Sequence, residues 1–117
     1  MLKINDLAKN RELFSHGHRA CAGCGEALAV RQIMLATQTT GMPLVTAMAT
    51  GCLEIFSSIY PHSAWQVPMI HTAFETAAST ASGVEAAYRF LRKSGRIKEE
   101  IAFIAFAGDG GTYDIGL

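Results

Sequence analysis

The spacing of apolar residues predicts two long helices. Between about residues 24 and 37 the interior positions are almost all apolar, so this helix is expected to be mostly buried. The second apolar pattern starts near Thr72 and stops at Ser94-Gly95, a typical helix end. Its seam is rich in alanine, which favours close packing on a neighbour. Thr72 and Glu75 have the spacing of a capping box, which predicts that the helix begins there.

Short apolar runs bounded by helix breakers predict strands. Residues 44–49 and 101–107 are nearly uninterrupted apolar runs, typical of strands in a parallel sheet that is covered on both faces. A weaker strand is predicted over residues 65–70, where Pro68 favours a sheet edge or a strand start. A short helix is expected over residues 53–60.

The order of these elements predicts an α/β fold with a parallel sheet. Helices alternate with strands along the chain, and such an alternation implies right-handed crossover connections. Because parallel strands share one direction, the loops after Ala49 and Ala107 should leave the same sheet edge. Ligands of open α/β sheets bind at that edge. Cys52 and Asp109 are therefore expected on one side of the molecule.

Composition and charge narrow the possible classes of protein. The ten basic and ten acidic residues balance, which removes the usual electrostatic argument for nucleic acid or an anionic membrane. No apolar run approaches the roughly 20 residues that span a bilayer. Residues 1–12 show no apolar segment of a signal peptide, and three cysteines do not make a disulfide framework. A reducing, cytoplasmic setting is expected.

The end of the sequence predicts a fragment. The chain stops within the glycine-rich stretch 108–117, directly after the last predicted strand. That strand is expected to have one unpaired edge and an uncovered face. We therefore interpret residues 1–117 as a fragment of a domain, with a complete domain that ends in this way as the alternative.

The segment Gly108-Asp109-Gly110-Gly111 is a candidate diphosphate site. Glycines after a buried strand let the backbone approach a phosphate, and a carboxylate between them can hold a divalent cation bridging that phosphate. An ordinary glycine turn with a solvated aspartate would have the same short sequence and is the alternative interpretation.

The cysteines are the second candidate site. Cys21 and Cys24 are spaced so that both sulfurs can face one point from the first turn of a helix, and Cys52 follows a glycine at the predicted ligand edge. An iron–sulfur cluster, a structural zinc ion, a redox disulfide and an inert reduced pair all remain open. A cubane cluster takes four thiolates, so His18 or a cysteine beyond Leu117 would have to complete it.

Taken together, the motifs resemble a known family. The chain is similar to the beta subunits of 2-oxoacid:ferredoxin oxidoreductases such as pyruvate:ferredoxin oxidoreductase (pyruvate synthase). Four stretches in the family's order carry the resemblance: Gly17–Ala27, Ala49–Glu54, Trp65–Pro68 with Ile70–Glu75, and Gly108–Gly116. The resemblance implies a parallel-sheet fold that binds thiamine diphosphate, here truncated after the Gly-Asp-Gly segment.

The resemblance also implies roles for individual residues. Cys21, Cys24 and Cys52 match cysteine ligands of a [4Fe–4S] cluster. Glu26 and Cys52 match positions lining the thiamine diphosphate. The start of the diphosphate motif is matched by Gly108, Asp109, Gly110 and Gly111, with Asp109 as a Mg²⁺ ligand. The remaining Mg²⁺ ligands and the fourth cysteine are expected beyond Leu117.

The implied reaction converts pyruvate and coenzyme A to acetyl-CoA and CO2 while reducing ferredoxin. The expected partners are the alpha, gamma and delta subunits, and the glutamate that activates the cofactor belongs to one of them. No catalytic residue is assigned to this chain, which is expected to be inactive alone. Two alternatives stay open: the same chemistry on another 2-oxoacid, or a structural zinc or partner-docking module.

Overall fold

A three-stranded sheet with helices on both faces forms the body of the protein. The computed structural model describes residues 4–116. None of the helices described there is long and apolar enough to cross a membrane. In chain order the elements are α1 (Ile4–Leu7), α2 (Gly25–Gln38), β1 (Leu44–Ala49), α3 (Cys52–Ser57), β2 (Met69–Thr72), α4 (Ala77–Lys93), β3 (Ala102–Phe106) and α5 (Asp109–Tyr113).

The sheet is parallel throughout, in the order β2-β1-β3. In the register of the three strands, Met48 lies between His71 on β2 and Phe106 on β3. The central strand β1 is the most buried, because it has a neighbour on each side and helices over each face. Pro68 directly precedes β2 at the sheet edge, where a missing N–H donor is tolerated. The predicted α/β class with a parallel sheet is confirmed.

Helices cover the two faces of the sheet unequally. On one face α4 packs over all three strands, and the rings of Tyr88 and Phe103 lie 5.2 Å apart. On the other face the core is built around Met34, Met48 and Trp65, with Phe106 packed against them. Met34 and Met48 are fully buried, because the inward-facing residues of α2 pack with β1 in this core.

The segment before α2 is fastened to the body by an isolated antiparallel bridge between Phe14 and Trp65. The amide of Ser15 donates to the carbonyl of Ala64 over 2.7 Å. The Phe14 ring meets the Trp65 ring edge to face at a centroid distance of 5.4 Å. The indole N–H of Trp65 donates to Ser57 Oγ over 2.8 Å, so this large side chain is buried with its polar atom satisfied.

The predicted capping box at Thr72 and Glu75 is wrong. Thr72 is the last residue of β2 and pairs with Ala49 on β1, and its hydroxyl lies 3.3 Å from the Met48 carbonyl. The helix begins only at Ala77, after Thr76. Sheet pairing at Thr72 therefore prevails over its local capping preference.

The expectation that α2 is mostly buried is also wrong. Only Ala27, Val30 and Met34 are buried, while Leu28 is 52% and Ile33 39% exposed. The helix meets the sheet along one stripe, and nothing described between residues 4 and 116 covers its other apolar side.

The strand β3 lies at one edge of the sheet. Among the described strands it pairs only with β1, and it is half-buried. The expected open edge of β3 is confirmed among the described strands, and its partial exposure agrees with the uncovered face that the sequence predicts.

Candidate functional site

A cavity of about 450 Å³ lies at the carboxyl ends of β1 and β3. Sequence reasoning placed Cys52 and Asp109 at this edge, and both line the cavity. All the residues predicted to bind thiamine diphosphate or its Mg²⁺ line this cavity: Glu26, Cys52, Gly108, Asp109, Gly110 and Gly111. These positions are far apart in the sequence and are brought together because β1 and β3 run in the same direction.

Three helices begin around this cavity. Asp109 is the first residue of α5, Cys52 the first of α3 and Glu26 the second of α2. Within the described residues, no side chain caps the start of any of these helices. Their first backbone N–H groups lack helical partners, so this wall of the cavity offers hydrogen-bond donors and a favourable field for an anion. Residues 109–111, expected as part of a glycine loop, instead form the first turn of α5, and Gly108 precedes them in extended conformation.

The glycines in and directly before α5 differ in the space that a side chain would have. A Cβ added at Gly111 would lie 2.3 Å from the carbonyl oxygen of Phe74, so only glycine allows α5 to approach the loop after β2 this closely. At Gly108 and Gly110 the added atom would meet nothing within 4 Å among the described residues. The backbone at these two positions is therefore open to a ligand.

Apolar side chains also line the cavity. They are Val30 and Ile33 of α2, Leu53 of α3, Phe74 and Phe106. A ligand that fits this lining combines a charged group for the start of α5 with an apolar or aromatic body. Thiamine diphosphate has this division of chemistry, with a diphosphate at one end and aromatic rings at the other. The residues present thus fit that cofactor.

Sequence reasoning missed a polar pair beside the cavity. Thr50, which lines the cavity, has its Oγ1 2.8 Å from Nε2 of His71 and 3.0 Å from the carbonyl oxygen of Thr72. His71 lies on β2 opposite Met48. The signal that could have revealed the pair is positional. Both residues stand at the carboxyl ends of strands that the topology makes neighbours.

Cys21 and Cys24 form a turn before α2 rather than lying in its first turn. The amide of Cys24 donates to the carbonyl of Cys21 over 3.0 Å, and Gly23 has a φ of 74°, which favours glycine. Neither cysteine lines the cavity described above, whereas Cys52 does. All three thiols are free, with Cys21 and Cys52 exposed and Cys24 half-buried against the core.

The described residues do not by themselves form a metal centre. Between residues 4 and 116, no three His, Cys, Asp or Glu side chains are grouped so that they could hold a metal ion. Asp109 presents an exposed carboxylate at the cavity, an oxygen ligand of the type that Mg²⁺ prefers. The thiols therefore do not fit a cluster without further ligands and a different mutual placement, while Asp109 fits one Mg²⁺ ligand.

The clearest electrostatic effect on a carboxyl group lies outside the cavity. A hydrogen bond from Arg31 lowers the pKa of Glu12 and raises the pKa of Arg31 itself. This pair joins the segment before the cysteine turn to the outer side of α2. It helps to fix the position of the segment that carries Cys21 and Cys24.

Comparison with known proteins supports the resemblance seen in the motifs. The chain is 54% identical over 105 residues to pyruvate synthase subunit PorB of Thermotoga maritima, which covers 88% of this chain and 32% of that subunit. It is 50% identical over 107 residues to the PorB subunit of Methanocaldococcus jannaschii, covering 90% of the chain and 35% of the subunit. No protein-family model matches the chain.

A relative with a different named substrate matches the same region. Ketoisovalerate oxidoreductase subunit VorB of Pyrococcus abyssi is 39% identical over 106 residues, covering 91% of the chain and 33% of that subunit. The chain thus spans about a third of the length of the curated relatives that it matches. The predicted resemblance to pyruvate synthase subunits is confirmed over this third.

Proposed function

We propose that the chain supplies the N-terminal part of the thiamine-diphosphate-binding domain of an oxidoreductase acting on 2-oxoacids. In this proposal the complete enzyme decarboxylates pyruvate in the presence of coenzyme A, forms acetyl-CoA and CO2, and reduces ferredoxin. The observation that carries the proposal is the meeting of Glu26, Cys52 and residues 108–111 in one cavity. The names of the similar subunits support the choice of pyruvate.

In this proposal the polar and apolar parts of the cavity lining have different roles. The start of α5 would hold the diphosphate through the amides after Gly108, and Asp109 would be a ligand of its Mg²⁺. The apolar side chains of Val30, Ile33 and Phe106 would keep water from the rings of the cofactor. Once bound, thiamine diphosphate supplies a carbanion nucleophile and an electron sink for decarboxylation.

Glu26 and Cys52 are assigned to orient the cofactor. Glu26 lies near the start of α2, and Cys52 opens α3 beside Thr50 and Gly51. Both side chains are exposed in the described chain, so their polar atoms are available to a bound molecule. None of the described residues is assigned the proton transfer that activates the cofactor, which the proposal gives to a partner subunit.

The iron–sulfur part of the proposal rests on the cysteine motif and the family resemblance rather than on geometry. Cys21, Cys24 and Cys52 are proposed as ligands of a [4Fe–4S] cluster, completed by a ligand outside the described residues. Soft thiolates in this number are typical of iron–sulfur ligation. The proposed partners are the alpha, gamma and delta subunits and ferredoxin, and the proposed location is the cytoplasm.

The first test measures cofactors in the protein purified without oxygen in its native assembly. We expect thiamine diphosphate, Mg²⁺, iron and acid-labile sulfide, together with pyruvate- and coenzyme-A-dependent reduction of ferredoxin. An intact assembly that contains neither iron nor thiamine would sink the proposal. Stoichiometric zinc without acid-labile sulfide would support a structural zinc module instead.

The second test addresses the role of Asp109. Asp109→Asn should weaken binding of thiamine diphosphate with Mg²⁺ by at least about tenfold, because one charged Mg²⁺ ligand is lost. Glu99→Gln is the control, since Glu99 precedes β3 at the opposite end of that strand and is exposed. Equal affinity of the Asp109 variant and the wild type would remove Asp109 from the site.

The main alternative concerns the substrate. The similarity to a ketoisovalerate oxidoreductase subunit favours testing branched 2-oxoacids beside pyruvate. Competitive turnover of pyruvate, 2-oxoglutarate and ketoisovalerate by the complete enzyme decides between them. A higher kcat/KM for ketoisovalerate than for pyruvate would replace the proposed substrate while leaving the cofactor site unchanged.

A further inference from the structure

A second cavity, of about 290 Å³, lies between the segment before α2 and the segment after α3. Its wall is formed by residues 16–19 on one side and by residues from Phe56 to Ala64 on the other. None of the described residues lining it also lines the candidate cofactor cavity. The proposed function leaves this cavity without a role.

The second cavity concentrates basic side chains. His16, His18, Arg19 and His62 line it, and no Asp or Glu is among the described residues of its wall. Within residues 4–116, the side chains of Arg19 and His62 make no hydrogen bond or ion pair. Glu12 interacts electrostatically with His16 but is itself hydrogen-bonded to Arg31. None of the described residues therefore neutralises the positive charge of Arg19.

Packing holds two of these residues in place. The ring of His18 lies 5.1 Å from the ring of Phe14 and 5.6 Å from that of Phe56. Its Nδ1 accepts from the amide of Ala20 over 3.4 Å, so the ring proton of a neutral His18 resides on Nε2 and is available for donation. The backbone of Arg19 is fixed by its amide, which donates to the carbonyl of Phe56 over 2.9 Å.

We propose that this second cavity binds the phosphate group of a small molecule through Arg19 and the imidazole N–H groups of His16, His18 and His62. A terminal phosphate group presents three oxygens and suits donors that surround it, whereas a carboxylate presents two. The guanidinium of Arg19 matches phosphate geometry and disfavours a metal cation. The cavity is larger than a phosphate alone, which leaves room for the group that carries it.

The test measures protection of the histidines from chemical modification in the protein purified in its native assembly. Diethyl pyrocarbonate labels accessible imidazoles, and mass spectrometry assigns the label to each residue. We expect saturating inorganic pyrophosphate to slow labelling of His16 and His62 by at least about fivefold, since a bound ligand blocks the site in proportion to its occupancy. Inorganic phosphate should do so at higher concentration, and sodium acetate at equal ionic strength should not.

The matched variants are Arg19→Gln and Arg96→Gln. Both arginines are exposed, and Arg96 lies in the turn after α4, away from the cavity. Arg19→Gln should weaken the protection by pyrophosphate by about tenfold, because a charge-assisted hydrogen bond is lost. Arg96→Gln should leave it unchanged. Since the side chain of Arg19 has no partner among residues 4–116, folding of the variant should be intact, which circular dichroism checks.

Four outcomes would overturn the proposal. They are absence of protection in the wild type, equal protection by acetate, equal protection in the two arginine variants, and histidines that fail to react even without anion. The last result would mean that another chain covers the cavity. If Arg19→Gln does not fold, the wild-type comparison of pyrophosphate with acetate still decides. Binding of thiamine diphosphate is measured separately, so either proposal can fail while the other stands.

Discussion

Among the glycines of α5, Gly111 has the least space for a side chain. Gly111→Ala would place a methyl group 2.3 Å from the backbone carbonyl of Phe74, so α5 or the loop after β2 must shift. We expect a loss of about 1–3 kcal/mol in the free energy of unfolding, as for other overpacked positions. Gly110→Ala in the same helix meets open space and should change stability by less than about 1 kcal/mol. Equal urea midpoints for the two variants would contradict this reading of α5.

The ion pair of Glu12 and Arg31 predicts a pH dependence of stability. The hydrogen bond from Arg31 lowers the pKa of Glu12 below its ordinary value of 4.5. The unfolded chain therefore takes up a proton at a higher pH than the folded chain. The stabilisation is complete above 4.5 and is lost as the pH falls through the lowered pKa of the folded state.

Glu12→Gln isolates this effect. Both side chains are partly exposed, so the variant should lose no more than about 1 kcal/mol at neutral pH. The difference between wild type and variant should shrink as the pH falls below 4.5, where wild-type Glu12 also becomes neutral. Unfolding by urea at neutral and acidic pH measures both values. A difference that stays constant over this range would show that the ion pair does not contribute as described.

At the scale of elements, Phe14 joins the segment before α2 to the rest of the fold. Its ring contacts those of His18, Phe56 and Trp65, and its side chain is 3% exposed. Phe14→Ala should lower the free energy of unfolding by about 3–5 kcal/mol, as is typical when a buried aromatic side chain is truncated. Hydrogen exchange at the amides of Ser15 and Gln66 should accelerate at the same time, because both donate across this bridge.

Phe90→Ala is the control for this element-scale prediction. Phe90 lies on the outer side of α4 and is 68% exposed, so its truncation should change stability by no more than about 0.5 kcal/mol. Similar losses for the two phenylalanines would mean that the bridge does not fasten the segment. Exchange at Ser15 and Gln66 that is unchanged in Phe14→Ala would lead to the same conclusion.

The elements differ in how far the sequence could predict them. The run at 44–49 and the spacing in 77–93 predict β1 and most of α4, because an uninterrupted apolar run and a helical period are local signals. The signal that sets the start of α4 is not local. Thr72 is a good capping residue by type, but pairing with β1 draws it into β2. The exposure of Leu28 on α2 depends on which surfaces the surrounding chain covers, and no pattern within the helix contains that information.

The two cavities show the same limit. Cys52 and Asp109 could be placed at one edge because parallel strands share a direction. The basic cavity could not be foreseen, since it exists only once the bridge between Phe14 and Trp65 brings residues 16–19 beside residues 56–64. His62 and Arg19 are ordinary surface residues in the sequence. Their chemistry comes from a tertiary contact between segments about forty positions apart.

At the scale of the whole molecule, large hydrophobic side chains are exposed on α2, α3, α4 and the segment after α5. The zero net charge gives little repulsion between copies. Among the described strands, β3 and β2 are the two edges of the sheet. An open strand edge beside apolar surface is a template for association with other chains.

We therefore expect the isolated chain to self-associate. Sedimentation velocity should show species larger than a monomer that grow with concentration, and the dye ANS should bind to the exposed apolar surface.

Ala105→Lys places a charge at an exposed position of β3 and should reduce association without loss of the core, because lysine opposes edge pairing. Ser79→Lys on α4 is the control, since it adds the same charge at an exposed position away from the strand edges. A single monomeric species with a sharp cooperative melt would contradict this prediction. Equal effects of the two lysine variants would show that association depends on net charge and not on the edge of β3.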